Sequence, residues 1–414
     1  MIVARALCQD RPEDLDLAFS RLGLPRAARE YLLEKMPHSQ VLLTGLTRTE
    51  GRFLRGLADA PAAPGREEFP TYVPGDVERR PGTALLCGRR DQLERVRQEA
   101  AKDQELLELA DALQRLLSAP ERRVLRLHDK ELPLGQRTLV MGVVNVTPDS
   151  FWDGGNFAEA EAAIAHGQAL ARAGADILDV GGESSRPGAH PVDAKEELRR
   201  VIPVVQELRR STGLPISIDT TKSAVAGEAL ASGASMVNDI SGLRFDPALA
   251  SLAARAGAAL CLMHMQGTPH TMQAAPRYQD VVEEVLAFLK DASARAQWEG
   301  VPAEHILVDP GIGFGKTAGH NLVLLRRLHD LRQLGHPILV GTSRKSFLGA
   351  LTGGKPPAER LWATLGSVAA VAALGAADVV RVHDAGEVRD ALAAADAIRQ
   401  ANEAGDAFGT LAKA

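Results

Sequence analysis

The sequence predicts an α/β protein, a (β/α)₈ barrel preceded by a smaller α/β domain, on three observations. From residue 138 onward, eight short apolar stretches alternate with helical ones over about 265 residues, the length and rhythm of that barrel. Almost every stretch ends on a side chain able to do polar chemistry: Asn145, Asp179, Asp219, Asn238 with Asp239, His264, Asp309, Lys345, and Arg381 with His383. The 414 residues are also too many for one ordinary domain. Active sites of such barrels are built from strand C-termini and the loops that follow, so these tips mark the chain as an enzyme. A doubly wound open sheet is the alternative, but it would gather polar residues at one switch point.

Residues 1–118 read as the separate α/β unit. Ile2–Leu7 is a strand, and Glu13–Met36 forms one or two helices broken near Gly23 and Pro25. Val41–Leu46 is a second strand, followed by a helix through Arg52, Leu54 and Leu57. Residues 61–82, rich in Pro and Gly, read as loop. Thr83–Cys87 is a third strand, and Asp91–Leu117 one long amphipathic helix with Val96, Ala100, Leu107, Ala110, Leu113 and Leu117 at helical spacing. QVLLTGLTRTEGRFLRGL and TALLCGRRDQLERV resemble two copies of a strand–Gly–helix unit. A lone Gly at that junction could bind an anion at a helix N-terminus, but a tight βα turn is the preferred reading. Residues 119–137 read as a linker leading into the barrel, and 403–414 as a frayed tail.

The barrel strands are expected at Thr138–Val144, Asp176–Val180, Ile216–Asp219, Met236–Asp239, Ala258–Met263, Ile306–Asp309, Ile338–Val340 and Val379–Val382. The clearest helices between them are Ala158–Ala173, Ala194–Thr212 and Tyr278–Gln297.

Composition narrows the partners. Hydrophobic residues at 45% suffice for a core, but aromatics at 4% leave Ala, Val and Leu to fill it. A net charge of −5 argues against general nucleic-acid binding, though not against a local cationic pocket. Cys8, Cys87 and Cys261 have neither metal nor disulfide spacing, which suits a reducing cytoplasm. No apolar run approaches a membrane span, and the N-terminus lacks a signal-peptide core.

Each strand tip has its own chemistry. The first ends GVVNVTPDSFWDGG, where Pro148 and Gly154–Gly155 make a loop containing Asp149, with Asn145 at its base. A buried amide there needs a partner. The second ends DVGGESSRPGA, whose glycines let backbone approach a ligand. Arg186 either salt-bridges Glu183 across the turn or serves as a hand for a carboxylate or phosphate. The third and fourth end ISIDT and MVNDI, so that Asp219, Asn238 and Asp239 are expected to converge on the barrel axis. A ring of alternating donors and acceptors, such as an aminopyrimidinone, wants such groups held rigidly. The sixth ends ILVDPGIGFGKTAGHN, which is no P-loop, because Pro310 stands where the first Gly is required. Asp309 remains an acceptor there and Phe314 an apolar wall. Lys345 on the seventh and Arg381 with His383 on the eighth read as neighbouring cations for a diphosphate-like anion. His264 reads as a loop hydrogen-bonder. Mg²⁺ could accompany a diphosphate with few protein oxygens, Asn145 being the best contact.

Taken together, GVVNVTPDSF, DVGGESSRPGA, ISIDT, NDISG, MHMQGTP, DPGIGFGK, GTSRKSF and RVHD resemble the dihydropteroate synthases, over roughly 138–402. The resemblance implies condensation of p-aminobenzoate with a hydroxymethyl-dihydropterin diphosphate in folate synthesis, in a cytoplasmic homodimer without nucleic-acid or membrane partners. It implies pterin binding by Asp219, Asn238, Asp309 and Lys345. It assigns diphosphate and Mg²⁺ to Asn145, Arg381 and His383, and p-aminobenzoate to Ser185, Arg186, Pro187, Phe314 and Ser346. Asn145, Asp219, Asp309, Lys345, Arg381 and His383 form the expected catalytic set. Ser185 stands where the family usually has Thr, and Trp152 replaces a small polar residue, which bears on sulfonamide sensitivity. A pterin-dependent methyltransferase barrel and a non-catalytic pterin binder are the competing readings.

Overall fold

The structure is a computed structural model describing residues 3–7, 39–59, 71–72, 82–88, 90–117, 124–128, 130–146, 156–186 and 188–401. The chain divides into two compact units, Met1–Glu121 and Arg122–Ala414.

In the first unit, β1 (Val3–Leu7), β2 (Ser39–Thr44), β3 (Thr71–Tyr72) and β4 (Thr83–Gly88) form an antiparallel sheet in the order β1-β2-β4-β3. Helices α1 (Arg48–Asp59), α2 (Arg90–Ala100) and α3 (Leu107–Leu117) supply the rest of its core, with Leu43, Leu54, Leu86, Leu109 and Leu113 buried together. The two strand–Gly–helix copies are β2–α1 and β4–α2, and their strands pair antiparallel in register Val41↔Leu86. The single long helix expected over Asp91–Leu117 is two. Asp103 caps a short 3₁₀ turn and accepts the amide of Glu105 at 2.9 Å, a local bond that competes with the helix ladder. Val96, Ala100, Ala110, Leu113 and Leu117 of the expected stripe are buried, but Leu107 is exposed and Leu106 and Leu109 are buried in its place. Strand β3 lies within the stretch expected as loop. The helices expected over Glu13–Met36 lie outside the described residues, as does the tail.

The second unit opens with a hairpin where a linker was expected. β5 (Val124–Arg126) and β6 (Glu131–Pro133) pair antiparallel. Leu125, Leu127 and Leu134 beside them bury against Met141, Ile177, Met236, Cys261, Leu307, Leu339 and Val379, the lower interior of the barrel. Two strands of three residues with exposed charges leave little periodicity to read, whereas the burial is a tertiary fact.

The barrel strands are β7 (Leu139–Asn145), β8 (Ile177–Gly181), β9 (Ile216–Asp219), β10 (Met236–Asp239), β11 (Ala259–Met263), β12 (Ile306–Asp309), β13 (Leu339–Val340) and β14 (Val379–Val382). They are all parallel, in the order β12-β11-β10-β9-β8-β7-β14-β13. A parallel bridge between Val308 and Ile338 joins the two ends. Sequential order without a reversal excludes the doubly wound sheet.

Helices α4 (Asn156–Arg172), α5 (Ala194–Thr212), α6 (Ser223–Ala231), α7 (Ala248–Ala256), α8 (Val281–Trp298), α9 (Ala318–Arg326), α10 (Ser346–Leu351), α11 (Leu361–Ala373) and α12 (Ala385–Gln400) follow their strands. Strand side chains alternate between faces. Val140, Leu178, Ile218, Val237, Leu260, Val308 and Val380 pack outward among residues of the helix layer. The inward set is apolar at the bottom, at Ile177, Met236, Leu307 and Val379. Two residues further along the same strands it becomes Asp179, Asn238, Asp309 and Arg381. That change of layer, at period two, positions the site.

Candidate active site

Arg381 organises one half of the interior. Its Nε donates to Asp179 at 2.6 Å and its Nη2 to Asp219 at 2.8 Å. Asn238 Nδ2 donates to the same Asp179 oxygen at 3.1 Å. Asp179 is fully buried, and its Oδ1 has no partner among the described residues. Burial disfavours charge on Arg381, but Asp179 and Asp219 outweigh it and its pKa rises. Burial raises the Asp219 carboxyl, opposed by Arg381 and reinforced by Asp179 and Glu197. Two carboxyl groups share one guanidinium, and burial pushes Asp219 up to about 7.

Lys345 organises the other half. It is the N-cap residue of α10; its ammonium lies 4.7 Å from the Phe314 ring centroid and donates to the Ile312 carbonyl. Burial lowers its pKa to about 8, with Asp309 opposing and Arg381 assisting. Asp309 accepts the Gly311 amide at 2.7 Å, and burial raises its pKa against the pull of Lys345. Gly311 has φ +67°, and a Cβ there would sit 1.9 Å from the His264 carbonyl oxygen. The loop after β12 can therefore press onto β11 only with Gly at that position.

Lys316 explains the GKT string without a nucleotide. It is 3% exposed and its ammonium meets His264 Nδ1 at 2.9 Å, Phe314 O at 3.0 Å and His264 O at 3.3 Å. It ties the loops after β11 and β12 together beneath Phe314. His264 is thus a loop hydrogen-bonder; burial and then Lys316 lower its pKa to about 2.

Two expectations need correction, and one open alternative is decided. Asp239 does not converge on the axis. Both of its oxygens cap the following turn, accepting the Ser241 amide at 2.8 Å and the Leu243 amide at 2.6 Å. Alternation sends Asn238 inward, and its neighbour takes the opposite face. His383 is not a second cation near neutral pH, because burial, then Arg381 and Arg344, lower its pKa to about 4. Its Nδ1 lies 2.9 Å from Ser343 Oγ. Of the two readings left open for Arg186, the bridge to Glu183 is not the one formed: Glu183 pairs with Lys222 and Arg186 is exposed.

The remaining expected residues lie around this interior. Asn145 ends β7, half-buried, opposite Gly181 in register. Ser185 lines a cavity of about 370 Å³ with Asp219, Lys222, Ile240 and Pro269. Arg186 is near enough to help depress His383. Ser346 stays exposed at the start of α10. Pro187, Asp149 and Trp152 lie outside the described residues. Asp179, Lys222, Glu197 and Lys316 belong to the site's framework and were given no role from the sequence. Asp179 stood among the strand tips, and its period-two relation to Ile177 and Gly181 was the available signal. Among the described residues no group of three acidic, His or Cys side chains could hold a metal ion, so the expected Mg²⁺ contact would rest on the Asn145 amide alone. That suffices only for a hard cation bringing most of its oxygens on a bound anion or as water.

A closed parallel barrel with this ring of donors, acceptors and cations under its loops is a small-molecule enzyme scaffold. A family model described as pterin binding enzyme matches residues 141–383, more than half of the chain, and the chain belongs to that family. Its similar relatives there are dihydropteroate synthases. The Synechocystis sp. dihydropteroate synthase is 48% identical over 264 residues, spanning 64% of this chain and 91% of the relative. The structure of Xanthomonas albilineans dihydropteroate synthase with 4-aminobenzoic acid superposes with a TM-score of 0.64 at 44% identity, covering 68% of this chain and 100% of that one. The Thermus thermophilus dihydropteroate synthase in complex with 6HMPPP gives a TM-score of 0.57 at 42% identity, covering 67% and 100%.

Proposed function

We propose that this chain is a transferase condensing 6-hydroxymethyl-7,8-dihydropterin diphosphate with p-aminobenzoate, giving 7,8-dihydropteroate and diphosphate. The observation that carries the reading is the Asp179–Arg381–Asp219 and Asn238 cluster facing Asp309 and Lys345 across one barrel interior. Asp219 and Asp309 offer acceptors to an aminopyrimidinone's N–H groups, while Asn238 and Lys345 offer donors to its oxygen and ring nitrogens. Phe314, held under Lys345, supplies a flat apolar wall.

Reaction needs the C–O bond between the pterin methylene and the diphosphate to break, with its electron pair leaving on oxygen. The arylamine nitrogen forms the new C–N bond and sheds one proton. Arg381 and Lys345 keep positive charge near the departing anion, where a buried charge acts more strongly than in water. Neutral His383 would add a donor if Ser343 gives its hydrogen to Nδ1, because the ring proton then sits on Nε2, toward a phosphate oxygen. Ser185 and Arg186 on the loop after β8, with Pro187, Phe314 and Ser346, would seat p-aminobenzoate and its carboxylate. Held orientation replaces a strong base, because the amine attacks a positioned, electron-poor carbon. Mg²⁺ belongs to the reading as the diphosphate's counterion; Asn145 would hold it, and it would supply charge neutralisation of the leaving group.

A cytoplasmic location and a homodimeric state complete the reading. Diphosphate release is the test. Release should need both substrates together; release from the pterin diphosphate alone, or none with both, rejects the assignment.

A further inference from the structure

Three elements meet at Lys222, at the base of the loop after β8. Its ammonium donates to Glu183 on that loop and, at 2.6 Å, to Glu197 in the first turn of α5. The Glu197 side chain is 0% exposed, and its second oxygen has no partner among the described residues. A carboxylate so buried keeps its charge only against a cation, and Lys222 supplies it. Two further contacts press the same loop onto α5. Arg200, paired with Glu196, donates to the Gly182 carbonyl at 2.9 Å. A Cβ on Gly182 would stand 2.7 Å from Val201 Cγ1. Beyond this anchor the loop runs directly to Ser185 and Arg186. Its amides at Gly188 and Ala189 donate to Pro269 O at 3.4 Å and Arg186 O at 3.0 Å.

We propose that Lys222 is a positioning residue: held by the buried Glu197, it fixes Glu183 and thereby sets the loop after β8 where Ser185 and Arg186 meet the arylamine substrate. It touches neither reacting atom. The inference rests on the function proposed above for the identity of that substrate, not for the clamp itself. A loop anchored at one end by a charge-assisted bond presents its tip in fewer conformations, so less order remains to be imposed when ligand binds.

Glu183→Ala cuts only the loop end and leaves the Lys222–Glu197 pair intact, so the fold is preserved. In the full-length, substrate-free protein, amide exchange over 183–190 should speed up roughly tenfold while α5 is unchanged. In turnover assays the KM for p-aminobenzoate should rise about tenfold, with the KM for the pterin diphosphate held within about twofold. Lys222→Met should reproduce this split, and Lys222→Arg should largely restore the wild-type values. Unchanged exchange in Glu183→Ala, or equal rises in both KM values, overturns the proposal. A wild-type protein without turnover would instead reject the functional reading, leaving the exchange measurement to decide the clamp.

Discussion

Arg381 Nε lies 2.6 Å from Asp179 Oδ2, an ion pair between residues 202 apart in sequence that joins β14 to β8 past β7. Removing one partner of a buried pair leaves the other charge uncompensated. Asp179→Asn retains the Asp219 contact, so we expect a loss of about 3 kcal/mol. Arg381→Met leaves two carboxylates and should cost more. Urea unfolding of both variants measures this, and the opposite ranking would contradict the account of the interior.

Lys345 and Asp309 are assigned to the pterin. Hydrogen bonds to charged groups contribute about 1.5–3 kcal/mol, so either alanine variant should bind the pterin diphosphate up to about 100-fold more weakly. Turnover should fall below detection. Calorimetric titration showing wild-type affinity in either variant would remove that residue from the site.

The same lysine gives a pH dependence. Its pKa is lowered to about 8, so it is charged below that pH and neutral above it. Affinity for the pterin diphosphate should therefore decline as pH rises through about 8. Lys345→Arg should shift that limb to higher pH, because a guanidinium stays protonated. An alkaline limb at the same pH in the Arg variant would assign it to another group.

The Mg²⁺ counterion proposed above, with Asn145 as its protein contact, makes metal dependence the expected outcome. Activity is expected to vanish in EDTA and return with added Mg²⁺. Asn145→Ala should raise the Mg²⁺ concentration needed for half-maximal rate, by up to about tenfold if one ligand is lost. Full rate in EDTA falsifies this part of the proposal.

The N-terminal unit has a core of its own. Leu43, Leu54, Leu86, Leu109 and Leu113 are buried together in it. Residues 122–414 alone are expected to fold and to keep kcat/KM within about twofold. A truncated protein that is folded but inactive would give the unit a part in catalysis.

By itself, the sequence determined the barrel and the roster of its tips. Eight apolar stretches followed by helical ones admit few other folds, and the strand ends at Asp219, Asp239, Asp309 and Val382 fall where the pattern put them. Chemistry at a strand end is legible because a polar residue closing an apolar run has few structural uses. What remained to the tertiary structure was direction and pairing. Asn238 and Asp239 are equally polar neighbours, yet the pleat turns one toward Asp179 and the other into its own loop. The charge state of His383, the burial of Lys316 and the Lys222–Glu197 pair depend on groups distant in sequence, because desolvation and Coulomb energy are set by neighbours in space. The hairpin under the barrel was hidden for the same reason: three-residue strands carry almost no local signal, and the apolar floor they cover exists only once eight strands have closed around it.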